Sequence, residues 1–400
     1  MPQLLDHPTR ITRCASTAPT DLCNTKALAL GRPFTPPGRS AKLASHPIAI
    51  NPGVTDLLGQ DCPVAVGVSG GKDSQAAAMA TFGYLDGIGH AGPRLLIHAD
   101  LGLVEWKDSL PVCERLAATI GVELAVVRRK QGGLMEQWET RWRSNVSRYE
   151  NLSTVTLVPC WSTPRMRFCT SGQKTSQIHS ELKRRFKGKP IISVVGVRRD
   201  ESRQRAHAEI ADQDRSTGVW TWRPILDWSA AEVFAAIDAY GLEPHPAYRE
   251  FGLTRVSCRF CIMSSLPDLV AASAQPETHG LYRQMVDLEC RSTFGFQGAR
   301  WLGDIAPHLL GSDLRDGLAM AKEQARRRAD AERRITKPML YVKGWPTRML
   351  SDGEADILAD VRSEVSTMLG LRSSCLDRAS IHARYTELIA MQTEKGRTKK

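Results

Sequence analysis

The residues best suited to chemistry begin with a run of six, Ser69-Gly70-Gly71-Lys72-Asp73-Ser74, set between an apolar segment and an Ala-rich one. Two adjacent glycines let the backbone turn tightly and let an anion come close to it. A helix starting just after them would aim free N–H groups and the positive end of its dipole at that anion. Lys72 adds a point charge suited to phosphate. Ser69 and Ser74 add hydroxyl donors, and Asp73 is placed either to help hold Mg²⁺ or to cap the helix. The run is not a Walker A loop, which needs four residues between its first glycine and the Gly-Lys pair. The plainer alternative is a Gly-Gly turn capped by serine or aspartate.

A second group follows an apolar run ending near Val197. Arg198, Arg199, Arg203 and Arg205 fall within eight residues and enclose Asp200 and Glu201. Guanidinium forks match phosphate or sulfate oxygens in pairs, and the two carboxylates would orient those forks or bind a metal. The alternative is a solvated cluster whose charges pair with one another. The third group is thiol. Cys258 and Cys261 form a CxxC pair, and Cys160 and Cys169 stand upstream with eight residues between them. Together they could make a four-thiolate site for an iron–sulfur cluster or structural zinc. Otherwise they are buried thiols acting as small hydrophobes. Asp100 is a candidate for ribose or metal contact, His98 reads as a core histidine, and Asp227 as a helix cap.

These groups need elements to hold them. Val64 to Val68, Leu95 to Ala99, Val122 to Val127 and Ile191 to Val197 are short apolar runs that read as buried strands. Ser74 to about Leu85, Trp106 to Ile120, Ser171 to Phe186 and Ser229 to Tyr240 read as helices. Such alternation predicts an α/β, doubly wound, mostly parallel sheet with helices on both faces, in which ligands sit beyond the carboxyl ends of the strands. All three groups fall at those ends. Residues 1 to about 55 read as a loose arm rich in Pro, Thr, Ser and Arg. Residues 56–270 form the nucleotide-binding domain. Residues 271–400 form a helical C-terminal region, with helices over 309–335, 352–369 and 380–393 and a basic tail from Gly396.

The six-residue run resembles the SGGxDS signature of the PP-loop ATP pyrophosphatases, and residues of about 60 to 265 resemble their phosphoadenosine phosphosulfate (PAPS) reductase-like group. Four further stretches carry that likeness in order: His98-Ala99-Asp100-Leu101-Gly102, Arg167-Phe168-Cys169 through Lys174, Gly196 through Arg205, and Arg223-Pro224-Ile225-Leu226-Asp227-Trp228-Ser229. The resemblance implies an adenine nucleotide alpha-hydrolase-like fold and ATP held with Mg²⁺. Its nucleotide contacts would be Ser69, Gly70, Gly71, Lys72, Asp73, Ser74, Asp100, Arg199, Glu201 and Arg205, with Lys72, Asp73, Arg198 and Arg203 in catalysis. Some relatives hold a [4Fe–4S] cluster on four cysteines. Two departures count against direct reduction of a sulfonucleotide. The chain has no adjacent Cys-Cys pair, and it lacks the Glu-Cys-Gly-x-x-His tail of the cluster-free reductases.

The formal net charge of +11 favours polyanionic partners, nucleotide phosphates or nucleic acid. Ten cysteines in 400 residues are too few for a disulfide scaffold. No apolar run approaches the ~20 residues of a membrane span, and the cytoplasm is the expected compartment. The basic stretches at Lys322 to Arg328 and Arg333-Arg334 would run along a phosphate backbone or form a solvated helix face. The function these features favour is ATP-dependent adenylation in sulfur transfer to nucleic acid, as in the DNA phosphorothioation ATP pyrophosphatases, with a sulfur-donor protein as partner. The alternatives are a sulfonucleotide reductase and a non-catalytic nucleotide-binding subunit of a DNA-associated complex.

Overall fold

The computed structural model describes residues 46–397. Its sheet has six strands: β1 (Val64–Val68), β2 (Arg94–Asp100), β3 (Glu123–Arg128), β4 (Ile192–Val195), β5 (Ala211–Gln213) and β6 (Trp220–Trp222). They lie in the order β3-β2-β1-β4-β6-β5, parallel except for β5 against β6. The helices are α1 (Pro52–Leu58), α2 (Lys72–Gly87), α3 (Ser109–Ile120), α4 (Leu134–Glu150), α5 (Phe168–Thr170), α6 (Ser176–Arg185), α7 (Ala230–Ala239), α8 (Pro246–Arg249), α9 (Leu266–Ser273), α10 (His279–Ser292), α11 (Ser312–Glu332), α12 (Asp352–Leu369) and α13 (Arg378–Arg397). A π-turn, Ser171–Thr175, joins α5 to α6.

Period-two burial explains how the sheet is covered. Val64, Val66 and Val68 face one side with Leu96 and Val194, where Phe82 and Leu85 of α2 and Leu116 of α3 cover them. Ala65, Leu95, Ile97 and Ala125 face the other, under Leu182 and Phe186 of the α6 segment. The sheet is therefore doubly wound, as the alternation predicts.

Helix α1 joins the first face through Val54 and Leu58, α7 packs on Ala76 and Ala77 of α2, and helices α4 and α8 to α13 contribute to one further apolar core. Leu101 and Trp106 after β2, Trp138 and Tyr149 of α4, Leu281 and Tyr282 of α10, Val361 of α12 and Tyr385 of α13 belong to a single buried cluster. No break in it accompanies residue 270. Helix α4 had no counterpart among the expected elements, nor did the β5–β6 hairpin, α9 or α10. The expected arm, residues 1 to about 55, lies outside the described residues up to Ser45, and Asn51 caps α1. The end of the basic tail also lies outside them. On α11 the charges pair locally: Arg326 with Glu323 and Asp330, Arg333 with Asp330, and Arg334 with Glu364. This stretch is thus a self-paired helix face. No helix among the described residues is long and apolar enough to cross a membrane.

Candidate functional site

The strand order reverses between β1 and β4, and the crevice beyond their carboxyl ends is where an open α/β sheet takes its ligand. The Ser69-to-Ser74 loop leaves β1 at this point. Gly70 has φ +75°, and a Cβ there would lie 2.9 Å from the Ser109 carbonyl oxygen. Gly71 occupies the N-cap of α2 and offers no side-chain cap; the Lys72 amide donates to the Tyr248 hydroxyl at 3.2 Å, and the Asp73 and Ser74 amides of the first turn have no acceptor among the described residues, which leaves them for a ligand. The loop is braced from within. Ser74 Oγ donates to Gly71 O at 2.8 Å and accepts from Ser69 N at 3.3 Å, while Gln75 Nε2 donates to Gly70 O at 3.2 Å.

Gly196, just past β4, brings the arginine stretch against this loop. A Cβ on it would fall 2.4 Å from Asp73 O and 2.9 Å from Ser74 N. The result is a chain of alternating charge. Lys72 Nζ lies 3.0 Å from Asp73 Oδ2, Arg198 Nε lies 2.6 Å from Asp73 Oδ1, and the far end of Arg198 pairs with Asp200. Asp73 therefore does not cap α2. Both of its oxygens carry a cationic partner, Lys72 on one and Arg198 on the other. Lys72 is enclosed as well. Its ammonium stands 5.4 Å from the Tyr248 ring centre and 5.9 Å from that of Phe234, a cation–π setting that ties α2 to α7 and α8.

The arginine stretch is largely self-paired. Arg198 is buried, Arg199 pairs with Asp227 and donates to the Ala206 and Ala208 carbonyls, and Arg205 pairs with Glu201. Only Arg203 of the four stands exposed with no ion pair among the described residues. Asp227 thus serves Arg199 and is not the cap of α7. That role falls to Ser229, whose Oγ accepts from Glu232 N at 3.2 Å while Glu232 accepts from Ser229 N at 2.6 Å.

Asp100 ends β2 and accepts from Gly102 N at 2.7 Å. With Leu103, Glu105, Trp106 and Arg259 it lines a cleft of about 270 Å³. His98 is a core residue, as expected, with its ring nitrogens 3.0 Å from Val68 O and 3.3 Å from Glu105 Oε2. Burial disfavours a charge on this ring. Its contacts with the Cys113 sulfur and with Glu105 more than offset that and raise its pKa to about 10.

The expected four-thiolate site is not assembled. Among the described residues, no three or more His, Cys, Asp or Glu side chains converge at metal-ligand spacing. Cys160 is wholly buried in the core, where Ser292 hydrogen-bonds it. Cys258 lies close enough to Cys261, Cys169 and Lys174 to feel their charges, and burial is the main cause of its raised pKa. Cys169, Cys258 and Cys261 are thus neighbours. Cys160→Ala is expected to cost about 1–2 kcal/mol of stability as a small core deletion and to leave the iron and zinc content of anaerobically purified protein at the wild-type level. A drop in bound metal would put Cys160 back in a ligand set.

A family model described as the phosphoadenosine phosphosulfate reductase domain matches residues 63–264, just over half of the chain. The chain belongs to that family. The match begins one residue before β1 and ends three residues after Cys261, so it takes in the loop, the arginine stretch and the CxxC turn. This member of the PAPS reductase domain family is similar to an uncharacterized 37.8 kDa protein of Escherichia phage 186, at 28% identity over 242 residues, 52% of this chain and 70% of that one. It is also similar to an adenosine 5'-phosphosulfate reductase of Burkholderia cepacia, at 30% identity over 74 residues, 18% of this chain and 29% of the relative. Among solved structures, it resembles a PAPS reductase of Candida auris with a TM-score of 0.32 and 15% identity, covering 49% of this chain and 80% of that one.

Two residues outside the expected set help build the site. Gly196 sets the closeness of β4 to the loop, and Tyr248, in the short α8, reaches Lys72 from 176 residues away. The first had a sequence signal, since it follows a strand and opens the Gly196-to-Arg205 stretch. The second had none, because its partner is distant in the chain.

Proposed function

We propose that this PAPS reductase-family chain is an ATP-dependent adenylating enzyme. The observation that carries the reading is the Gly70-Gly71 loop at the reversal point of the sheet, with no side-chain cap from its own N-cap residue and with β4 and its arginines held against it. ATP would lie with its phosphates on the N–H groups of the first turn of α2. An acceptor oxygen attacks the α-phosphorus, forming the new O–P bond as the bond to the β-phosphate oxygen breaks and pyrophosphate leaves. Fixed donors aimed at the charge that develops there lower the barrier. Arg203 is free to close on the phosphates. Arg198 acts through Asp73, which it fixes on the side of the loop. Pyrophosphate release from ATP, followed with a coupled phosphatase, tests the reading. Thioredoxin-dependent sulfite release from a sulfonucleotide, with no turnover of ATP, would replace it with the reductase.

The acceptor class we favour is nucleic acid. Lys130 after β3 and Arg203 after β4 are exposed at the carboxyl edge and have no ion pair among the described residues. A polyanion crossing this edge would meet unspent positive charge. Lys130→Glu with Arg203→Glu is expected to weaken binding of a labelled single-stranded oligonucleotide about tenfold. The slope of log affinity against log salt should fall by roughly one per lysine or arginine removed. An unchanged salt slope in the double variant would remove nucleic acid from this edge.

A further inference from the structure

The donor set of the loop extends to a residue outside its motif. The Tyr248 hydroxyl oxygen lies 3.2 Å from Lys72 N and 3.3 Å from Val256 N, and both amides donate to it. A phenol oxygen has two acceptor lone pairs and one proton. Both lone pairs are taken, and the proton has no acceptor among the described residues. The oxygen stands 3.6 Å from where a Cβ on Gly71 would sit, at the N-cap of α2. The ring is fixed edge-on to Phe234, with centroids 5.6 Å apart, and carries the Lys72 ammonium on its face. Burial pushes the phenol up to about 12, so the hydroxyl keeps its proton at neutral pH.

We propose that Tyr248 is a phosphate-contacting residue, its O–H donating to a non-bridging oxygen of the nucleotide held in the Ser69-to-Ser74 loop. The proposal rests on the reading of that loop as a nucleotide site. It explains why a hydroxyl that spends both lone pairs on backbone amides, one of them the first amide of α2, is left with an unused donor beside the Asp73 and Ser74 amides. It also gives the phosphates a connection to the thiols, since the second amide belongs to Val256, two residues before Cys258.

The test is calorimetric titration of the full chain with inorganic pyrophosphate and, separately, with adenosine. Tyr248→Phe keeps the ring and removes the oxygen. It is expected to raise the Kd for pyrophosphate about tenfold, the value of one hydrogen bond to a charged group, and to leave adenosine affinity within twofold. Equal losses for both ligands would mean that the hydroxyl only supports the fold. Wild-type pyrophosphate affinity in the variant would mean that the hydroxyl touches no phosphate. Either result overturns the proposal while leaving the loop assignment intact. Wild-type protein that binds neither pyrophosphate nor ATP would overturn both. Should Tyr248→Phe fail to fold, Tyr248→His, which keeps a ring nitrogen at this position, is measured with the same two ligands and is expected to retain part of the pyrophosphate affinity. No retained preference for pyrophosphate over adenosine would count against the contact.

Discussion

Gly196→Ala is expected to abolish ATP-dependent pyrophosphate release, with a loss of about 100-fold or more, and to destabilise the fold. A single methyl group added there would lie 2.4 Å from Asp73 O and 2.6 Å from its carbonyl carbon. These are backbone atoms in the first turn of α2, so they cannot swing aside as a side-chain tip could. The end of β4 must then part from the phosphate loop, and Arg198, two residues on, is drawn off Asp73. Misplacing catalytic groups by about 1 Å costs on the order of 100-fold in rate, and forcing extra volume into a packed contact costs about 1–3 kcal/mol. Gly87→Ala, at the far end of the same helix, is the control. A Cβ there meets nothing within 4 Å, and alanine in place of helical glycine is expected to be neutral or to stabilise by about 0.5–1 kcal/mol. Wild-type turnover in Gly196→Ala would show that the loop does not depend on its contact with β4.

Glu289→Ala should have the largest effect on stability, on the order of 4 kcal/mol, read as a fall in Tm of roughly 10 °C. Glu289 is fully buried near the end of α10. Its Oε1 accepts from Phe296 N and Leu302 N, each at 2.7 Å, and its Oε2 accepts from Gly303 N at 3.0 Å. Alanine would leave three buried N–H groups with no acceptor, at about 1–3 kcal/mol each before the loop relaxes. Glu289→Gln is expected to cost less, since one amide oxygen can still serve two of the donors. The pH dependence has a definite sign. Burial raises the Glu289 pKa to about 7 in spite of those three donors. A carboxyl raised above its unfolded value contributes stability that is complete below that value and is lost as pH rises through about 7. The wild-type advantage over Glu289→Gln should therefore shrink between pH 5 and pH 8. A Tm difference that grows with pH would contradict this. The effect also reaches the thiols. Gln297, in the segment that Glu289 secures, donates to the carbonyls of Cys261, Ile262 and Ser264. Loosening that segment should speed alkylation of Cys261.

What could be read from the sequence was what is local. The run Val64 to Val68 followed by two glycines indicated a strand, a turn and a helix start, because each of those signals lies within a dozen residues. The sheet followed from its alternation with helices. Helix α4 was just as legible but was not read, although Leu134, Trp138, Trp142, Asn145 and Tyr149 recur at helical spacing on its buried face. Strands β5 and β6, at three residues each, are too short for any periodicity. The site itself was harder. Whether Arg198 meets Asp73 depends on Gly196 letting two backbones touch, and no spacing encodes that. That Tyr248 and Phe234 enclose Lys72 could not be read, because both are remote in the chain. That Cys160 is wholly buried could not be read either, because a buried thiol and a ligating thiol are the same letter.

The single core that runs from Leu101 through Trp138 to Tyr282, Val361 and Tyr385 bears on how such chains can diverge. The segment shared with the family, residues 63–264, is not a cassette. Its Leu101, Trp138 and Tyr149 are covered by side chains that come after it. A recombination event that moved residues 63–264 alone into another background would strip apolar cover from both donor and recipient. In this chain the nucleotide loop's domain and the C-terminal helices are one folding unit, and a substitution on either side of their shared core is felt by the other.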